Sequence, residues 1–268
     1  MKKGNMIGQG MTAEVYEWGE DKVLKLFFNK FKDNWINSEA DIGKIIYEAG
    51  IPAPAVFDIV NVDGRKGIIF QKIPGRSLLS HLGFEPWMLY AYAIQMAGLH
   101  HRIHQYTSDK LPPQKERLLS SINDSAKILG TKLQEITNFL EHLPTGNNVC
   151  HGDLHFNNII IAEGEMKVID WSSASSGNPC GDAARTRLII NSPALLHLYP
   201  SIISAPFLYT KSLMNSAYLN EYTRLSKTSP KQIDAWILPV AAAKLREKIP
   251  GEKEWLLDII EKRLKKLK

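Results

Sequence analysis

The sequence predicts an α+β fold in which a small, strand-rich N-terminal part precedes a larger, mainly helical part. Short strand-like runs separated by turn residues fill positions 5–28 and 55–71. After residue 85 the apolar residues recur mostly at helical spacing. One further hairpin is predicted inside the helical part, where apolar runs at 159–161 and 167–169 flank Glu163-Gly164-Glu165. The chain of 268 residues, 44% of them hydrophobic, suffices for a large core in one domain or two lobes.

The N-terminal strands carry a lysine that needs a partner. Lys25 lies in a strand predicted to be buried on both faces, and a lysine there requires a carboxylate or a ligand. The helix predicted over 34–49 supplies Glu39 as the first candidate. Glu48 competes for the same role, but it lies too near the helix end to point inward. We therefore expect a Lys25–Glu39 ion pair.

The remaining elements follow from turn residues and helical periodicity. Two strands, 55–60 and 67–71, are joined at Asp63-Gly64. Helices are predicted at 85–106, 115–142 (one helix or two), 181–191, 205–226, 230–247 and 252–267. The last of these is amphipathic, and we interpret it as a packed terminal helix instead of a membrane anchor.

The stretch from His151 to Trp171 carries the chemistry. It contains Asp153, then Asn158 five residues later, then Asp170 at the end of the next strand. Phosphoryl transfer needs one carboxylate to receive the hydroxyl proton and oxygen ligands to hold magnesium on the triphosphate. Mg²⁺ prefers hard oxygen ligands, which an amide carbonyl and a carboxylate provide. The spacing thus favours Asp153 for the first task, and Asn158 with Asp170 for the second.

The motif His-Gly-Asp-x-His-x-x-Asn, followed by Ile-Asp-Trp, resembles the aminoglycoside phosphotransferase and choline kinase family. These enzymes are small-molecule relatives of protein kinases. The resemblance implies a bilobal protein-kinase-like fold, with a nucleotide-binding N-terminal lobe over 1–73 and a helical lobe over 74–268. It also implies an ATP-dependent phosphotransferase, using Mg²⁺, that acts on a hydroxyl of a small molecule such as an aminoglycoside, an amino alcohol or a sugar.

The same resemblance assigns roles to residues that match the family pattern. Asp153 would be the catalytic residue, and Asn158 and Asp170 would hold the metal. The residues expected to bind the nucleotide are Thr12 in the glycine loop, Lys25 with Glu39, the carbonyl of Gln71 and the N–H of Ile73.

Departures from the protein-kinase pattern argue against a protein substrate. Protein kinases usually have Arg at Gly152, Lys at His155 and Phe-Gly at Trp171-Ser172. No Ala-Pro-Glu segment follows. The alternatives left open are a nucleotide-binding pseudoenzyme or scaffold, and a protein kinase.

Other polar clusters have competing interpretations. His151, Asp153 and His155 alternate, and a histidine group that includes His100 and His104 lies on one predicted helix, as in some zinc hydrolases. We favour hydrogen-bonding and packing roles, since a zinc interpretation would leave the spacing to Asn158 and Asp170 coincidental. Asp182 is expected either to cap the next helix or to bond back to the predicted catalytic loop, residues 151–158.

Charge and composition limit the partners. The net charge is +5, but residues 1–181 carry −2 and residues 182–268 carry +7. This excess disfavours a polycationic aminoglycoside, although Glu221, Asp234 and Glu247 offer local carboxylates. Two cysteines, the absence of a signal-like start and the absence of a long apolar run indicate a cytoplasmic protein. We expect a monomer or weak dimer that binds neither nucleic acid nor membrane.

Overall fold

The computed structural model describes residues 3–194 and 204–267, and it divides into two compact units. The N-terminal unit comprises Met1–His81 and Phe156–Ser173, and the C-terminal unit comprises Leu82–His155 and Ala174–Lys268. The predicted lobe boundary between residues 73 and 74 stays a prediction.

The N-terminal unit is built on a five-stranded antiparallel sheet. Its strand order is β1-β2-β3-β5-β4. The strands are β1 (Met6–Gln9), β2 (Ala13–Glu17), β3 (Lys22–Phe27), β4 (Val56–Val62) and β5 (Arg65–Gln71). The predicted turn at Asp63-Gly64 is confirmed, and both residues have positive φ, as a two-residue hairpin with right-handed strand twist requires.

One helix, α1 (Asp33–Glu48), packs against this sheet. Apolar residues that include Phe27, Ile36 and Ile68 form the core between helix and strands. Because side chains alternate along a strand, Leu24 and Ile69 instead join a second cluster. Lys25, which lies between Leu24 and Leu26 in β3, therefore points to the side of the sheet that α1 covers.

The predicted hairpin after residue 158 is confirmed within the same unit. β8 (Ile159–Ala162) pairs with β9 (Glu165–Val168), and β6 (Arg76–Ser77) pairs with β8. The hairpin is tied to the segment after α1, since the Val168 N–H donates to the Pro52 carbonyl at 2.7 Å. A short helix, α2 (Leu78–Phe84), follows β6.

The C-terminal unit is mainly helical. Its helices are α3 (Leu89–Ile103), α4 (Gln114–Asp124), α5 (Ala126–Leu129), α6 (Leu133–His142), α7 (Pro179–Asn191), α8 (Ser204–Ser226), α9 (Pro230–Ala235), α10 (Ile237–Lys244) and α11 (Lys253–Lys265). A small antiparallel pair joins β7 (Asn148–Cys150) to β10 (Ser175–Gly177). Every residue of α10 is buried, and this helix packs against α4, α6, α7 and α11. No helix among the described residues is long and apolar enough to cross a membrane.

Three predicted helices differ from the observed ones. The helix predicted over 85–106 is shorter, because α3 starts after a 3₁₀ turn at Pro86–Met88 and ends at Ile103. The segment 115–142 forms three helices, and the break before the last of them falls at Gly130, whose φ of 56° leaves the helical region. The helix predicted over 230–247 is interrupted after Ala235, because Pro239 has no N–H to donate to the Ala235 carbonyl.

Candidate active site

The N-terminal unit brings Lys25, Glu39 and Asp170 together. The Lys25 ammonium donates to Glu39 Oε1 at 2.6 Å and to Asp170 Oδ1 at 3.1 Å. The Lys25 side chain is 14% exposed and that of Glu39 is 3% exposed. The predicted Lys25–Glu39 ion pair is therefore present, whereas the competing Glu48 is exposed. The expected role of the pair in phosphate binding stays a prediction.

The charges of this group are set by burial and by one another. Burial lowers the pKa of Lys25, but the nearby Asp170 and Glu39 carboxylates outweigh it and raise that pKa above its ordinary value. Burial raises the pKa of Glu39, and Lys25 opposes the rise. Glu39 Oε2 is buried without a hydrogen-bond partner among the described residues. A buried ammonium thus lies between two carboxylates, one of which keeps an unused acceptor atom.

Asp170, two residues after the end of β9, has an uncommon backbone conformation. Its φ is 61°, in the left-handed region that non-glycine residues seldom adopt. The Ser172 hydroxyl donates to Asp170 Oδ1 at 3.0 Å, and the Trp171 indole N–H donates to the Val168 carbonyl at 2.9 Å. The 3₁₀ turn at Trp171–Ser173 packs against α1. Such conformations persist where the surroundings fix them, and they cluster at functional sites.

Asn158 lies at the same open end of the hairpin as Asp170, directly before β8. It is the last residue of the 3₁₀ turn Phe156–Asn158, is 6% exposed, and accepts the Ile169 N–H at its carbonyl at 2.9 Å. Asn158 and the residue before Asp170 are therefore hydrogen-bonded neighbours. The two residues predicted to hold Mg²⁺ belong to one hairpin, and both carry the hard oxygen atoms that this ion prefers.

The other predicted nucleotide-binding residues lie at strand ends of the N-terminal unit. Thr12 lies between β1 and β2, and its carbonyl accepts the Phe28 N–H at 3.0 Å. Gln71 ends β5 and exchanges hydrogen bonds with the backbone of Ala55. Ile73 follows β5, and its carbonyl accepts a hydrogen bond from Gly75. Their predicted contacts with a nucleotide stay predictions.

The C-terminal unit holds Asp153 in a charged environment. Arg185 donates from Nη2 to Asp153 Oδ1 at 2.9 Å, and His155 Nε2 lies 3.6 Å from Asp153 Oδ2. Burial raises the pKa of Asp153, but His155 and the Arg185 guanidinium outweigh it and hold that pKa well below its ordinary value. The Asp153 N–H donates to His151 Nδ1 at 3.1 Å, so His151 forms a hydrogen bond within the loop, as expected.

Asp182 bonds back to the catalytic loop. Its carboxylate accepts the backbone N–H groups of His151 at 2.5 Å and of Gly152 at 2.8 Å. His100 and His104 donate from Nε2 to the same carboxylate at 3.0 Å and 3.2 Å. Burial of Asp182 opposes ionisation, yet the two imidazoles hold its pKa well below the ordinary value. The alternative that Asp182 caps α7 is wrong, because the Asn178 side chain accepts the Cys180 N–H and fills that position.

The two histidines are fully engaged by hydrogen bonds. Because each Nε2–H donates to Asp182, each Nδ1 accepts, and the hydroxyls of Tyr218 and Tyr222 donate to His100 and His104 at 2.7 Å. Although the two imidazoles and the carboxylate lie within 4.8 Å of one another, these bonds account for every ring nitrogen. The expected packing role of His100 and His104 is confirmed, with the added task of holding Asp182.

The sequence-based assignment missed Arg185. The available signal was its position on α7, three residues after Asp182 and therefore on the same side of the helix. A bond from Asp182 back to the loop that carries Asp153 is one of the two roles that the sequence allows for this residue. A cation one turn further along that helix face was consequently a candidate partner for this loop.

Comparisons with known proteins give a family and a fold. The profile described as "phosphotransferase enzyme family" matches residues 5–210, while no curated protein matches the sequence. The solved structure of a thermostable mutant of aminoglycoside phosphotransferase APH(4)-Ia is 17% identical, with a TM-score of 0.64, covering 97% of this chain and 93% of that chain.

Two further structures are similar. Choline kinase from Cryptosporidium parvum Iowa II is 15% identical, with a TM-score of 0.58 over 99% of this chain and 88% of that chain. The streptomycin–ATP–APH(2")-IIa ternary complex is 15% identical, with a TM-score of 0.54 over 99% and 91%. At these identities the likeness concerns the fold, and it confirms the predicted α+β, protein-kinase-like fold.

Proposed function

The chain belongs to the phosphotransferase enzyme family, and from this premise we propose that it transfers the γ-phosphoryl group of ATP to a hydroxyl of a small molecule. The observation that carries the proposal is the Lys25 ammonium held at 2.6 Å from Glu39 and 3.1 Å from Asp170. A lysine fixed in this way is suited to the α- and β-phosphates of a nucleotide. One structure with a similar fold was solved with ATP bound.

The metal role falls to Asn158 and Asp170. Their fit rests on the donor set, one amide oxygen and one carboxylate on the same hairpin, and on the conformation that fixes Asp170. When bound, Mg²⁺ would neutralise charge on the phosphate oxygens. Within the N-terminal unit, Lys25 and Glu39 position the phosphates, and Thr12 adds a hydroxyl donor.

The adenine would be recognised by backbone atoms. We assign this contact to the carbonyl of Gln71 and the N–H of Ile73, which follow one another at the end of β5. Pro74 has no N–H and is excluded as a donor.

Asp153 accepts a hydrogen bond from the hydroxyl group of the acceptor molecule and then its proton. The hydroxyl oxygen forms a bond to the γ-phosphorus as the bond from that phosphorus to the β–γ bridging oxygen breaks, ADP leaves, and the hydroxyl proton passes to Asp153. Arg185 and His155 keep this carboxylate ionised and therefore ready to accept a hydrogen bond. Orientation and electrostatics supply most of the rate enhancement in such reactions.

The charges of the C-terminal unit favour an acceptor that is not a polycation. Glu221 is paired with Arg224 at 2.7 Å, Asp234 with Arg263 at 2.6 Å, and Glu247 with Arg185 and Lys244. The three carboxylates that the sequence offered for ammonium groups are thus already neutralised. No Asp or Glu occurs over residues 183–220.

Trp171 and Trp236 do not supply an aromatic cage for a quaternary ammonium. The indoles of Trp171 and Trp236 are 4% and 1% exposed, so neither offers an open face. We therefore propose a sugar or another alcohol of low charge as the acceptor.

The test is Mg²⁺-dependent ATP consumption with sugars, choline-like amino alcohols, homoserine and aminoglycosides as acceptors. Stimulation by one compound, lost in Asp170→Ala and Asp153→Asn, is the expected result. Asp58→Ala, which removes an exposed carboxylate of β4, is the matched control and should retain activity. Full activity in Asp170→Ala would contradict the metal assignment, and tight ATP binding without turnover on any alcohol would support the scaffold alternative.

A further inference from the structure

A continuous chain of ion pairs runs from Asp153 into the C-terminal unit. Arg185 contacts Asp153 Oδ1 through Nη2 at 2.9 Å and Glu247 Oε1 through Nη1 at 2.6 Å. Lys244, the last residue of α10, lies 2.9 Å from Glu247 Oε2 and 2.8 Å from Glu252 Oε2. Five charges of alternating sign therefore connect the catalytic loop to the segment between α10 and α11.

The two members of the chain farthest from Asp153 are the most buried, while Glu247 in the middle is 25% exposed. The Asp153 side chain is 33% exposed and that of Arg185 is 15% exposed, whereas Lys244 and Glu252 are 3% exposed. The Ser192 hydroxyl donates to Glu252 as well. The far end of the chain is consequently fixed, and the guanidinium is held on two sides by carboxylates.

Stability alone is a poor explanation for this arrangement. Buried ion pairs lose most of their attraction to the cost of removing both groups from water, and apolar replacements of similar size are often as stable. A guanidinium, by contrast, has a planar, rigid set of donors that fixes the direction of the carboxylate it binds. The geometry is suited to Arg185 orienting the partly exposed carboxylate of Asp153.

We propose that Arg185 is a positioning residue that fixes the orientation of Asp153, and that Glu247 and Lys244 hold Arg185 in place. A guanidinium at 2.9 Å from Asp153 Oδ1 also favours the ionised form of that carboxylate. This inference rests on the proposed function, in which Asp153 receives the acceptor hydroxyl. Asp153 then acts mainly as an oriented, charged hydrogen-bond acceptor, and the proton moves to it only as the phosphorus–oxygen bond forms.

The first experiment compares kcat and KM for Arg185→Gln, Arg185→Lys and Glu247→Gln, with the acceptor found in the alcohol panel or with water as acceptor. Arg185→Gln should lower kcat about 10- to 100-fold and leave KM for ATP nearly unchanged, since a charge-assisted hydrogen bond to the reacting group is lost. Arg185→Lys should have a higher kcat than Arg185→Gln, because lysine keeps the positive charge but lacks the planar pair of N–H donors of the guanidinium. Glu247→Gln should give an intermediate loss.

Arg246→Gln is the matched control. This arginine neighbours Glu247 in sequence but bonds Ser121 and Asp124 instead of Asp153. Its side chain is 46% exposed, and its removal should leave kcat unchanged. Circular dichroism and urea unfolding would establish that each variant is folded.

The second experiment follows the Asp153 carboxyl carbon by NMR, assigned with Asp153→Asn, during titration of the whole protein from pH 7 towards about pH 4.5. The parent carboxylate should stay ionised over this range, whereas the Arg185→Gln carboxylate should begin to take up a proton within it. Unchanged kcat and an unchanged titration in Arg185→Gln would overturn the proposal. If Asp153→Asn retains turnover while the titration shifts as expected, the proposed function fails instead.

Discussion

His104 gives the most informative stability prediction, because its contribution has a definite sign with pH. It is 2% exposed, and burial, with a smaller effect of the His100 charge, lowers its pKa from 6.5 to about 4. The folded protein therefore keeps His104 neutral at a pH where the unfolded chain takes up a proton. The contribution of His104 to the free energy of unfolding is complete at pH values above the pKa of the unfolded chain. It falls as the pH drops below about 6.5 and levels off near pH 4.

The size of the effect follows from the two pKa values. Each pH unit within that window costs about 1.4 kcal/mol per proton bound only by the unfolded chain. Between pH 7.5 and pH 5.0 the loss from His104 is about 2 kcal/mol, because proton uptake by the unfolded chain begins near its pKa. The measurement stops at pH 5.0 because carboxylates with ordinary pKa values titrate at lower pH.

The perturbation is His104→Gln, which removes the titration and keeps the hydrogen bonds. The glutamine amide N–H can donate to Asp182 while its oxygen accepts from Tyr222, as the imidazole does. Urea unfolding at both pH values should show the parent losing about 2 kcal/mol more than His104→Gln. His142→Gln, which removes an exposed imidazole at the end of α6, is the control and should behave like the parent.

Equal losses in the parent and in His104→Gln would refute the reasoning. That outcome would mean that His104 is protonated equally in the folded and unfolded states. The Asp182 network would then need a different assignment of protons, with consequences for how it holds the catalytic loop.

Two further predictions concern the N-terminal unit. Glu39→Gln should raise KM for ATP by about 10-fold or more in steady-state kinetics, since Lys25 loses a charged partner worth about 1.5–3 kcal/mol. Glu48→Gln, on the exposed side of α1, should match the parent. Equal KM values in the two variants would contradict the assignment. Gly75→Ala should lower the urea midpoint by an amount equivalent to about 1–3 kcal/mol or more, because the added Cβ overlaps a backbone carbonyl of β8. Gly83→Ala has open space and should not destabilise, so similar midpoints for both alanine variants would show that the β6–β8 approach is looser than observed.

Features governed by local sequence could be predicted. The hairpin after Asn158 and the turn at Asp63-Gly64 followed from apolar runs that flank glycine turns, and both are observed. The Lys25–Glu39 pair followed from a lysine in a buried strand and from a helix that ends sharply at Gly50. Burial demands a partner for a charge, and the helix offered only two glutamates, of which one lies at its exposed end.

The sequence by itself determined the α+β fold class, the family motif and the residues with suitable chemistry. Apart from the Lys25–Glu39 pair, the tertiary structure decided which of these residues meet. Arg185 reaches Asp153 across 32 positions, and Asp182 reaches the backbone of His151 across 31, because α7 lies beside the catalytic loop. Periodicity records which face of an element is buried, but it does not record which other element covers that face. Contacts between distant segments, and the pKa shifts that follow from them, therefore required the folded chain.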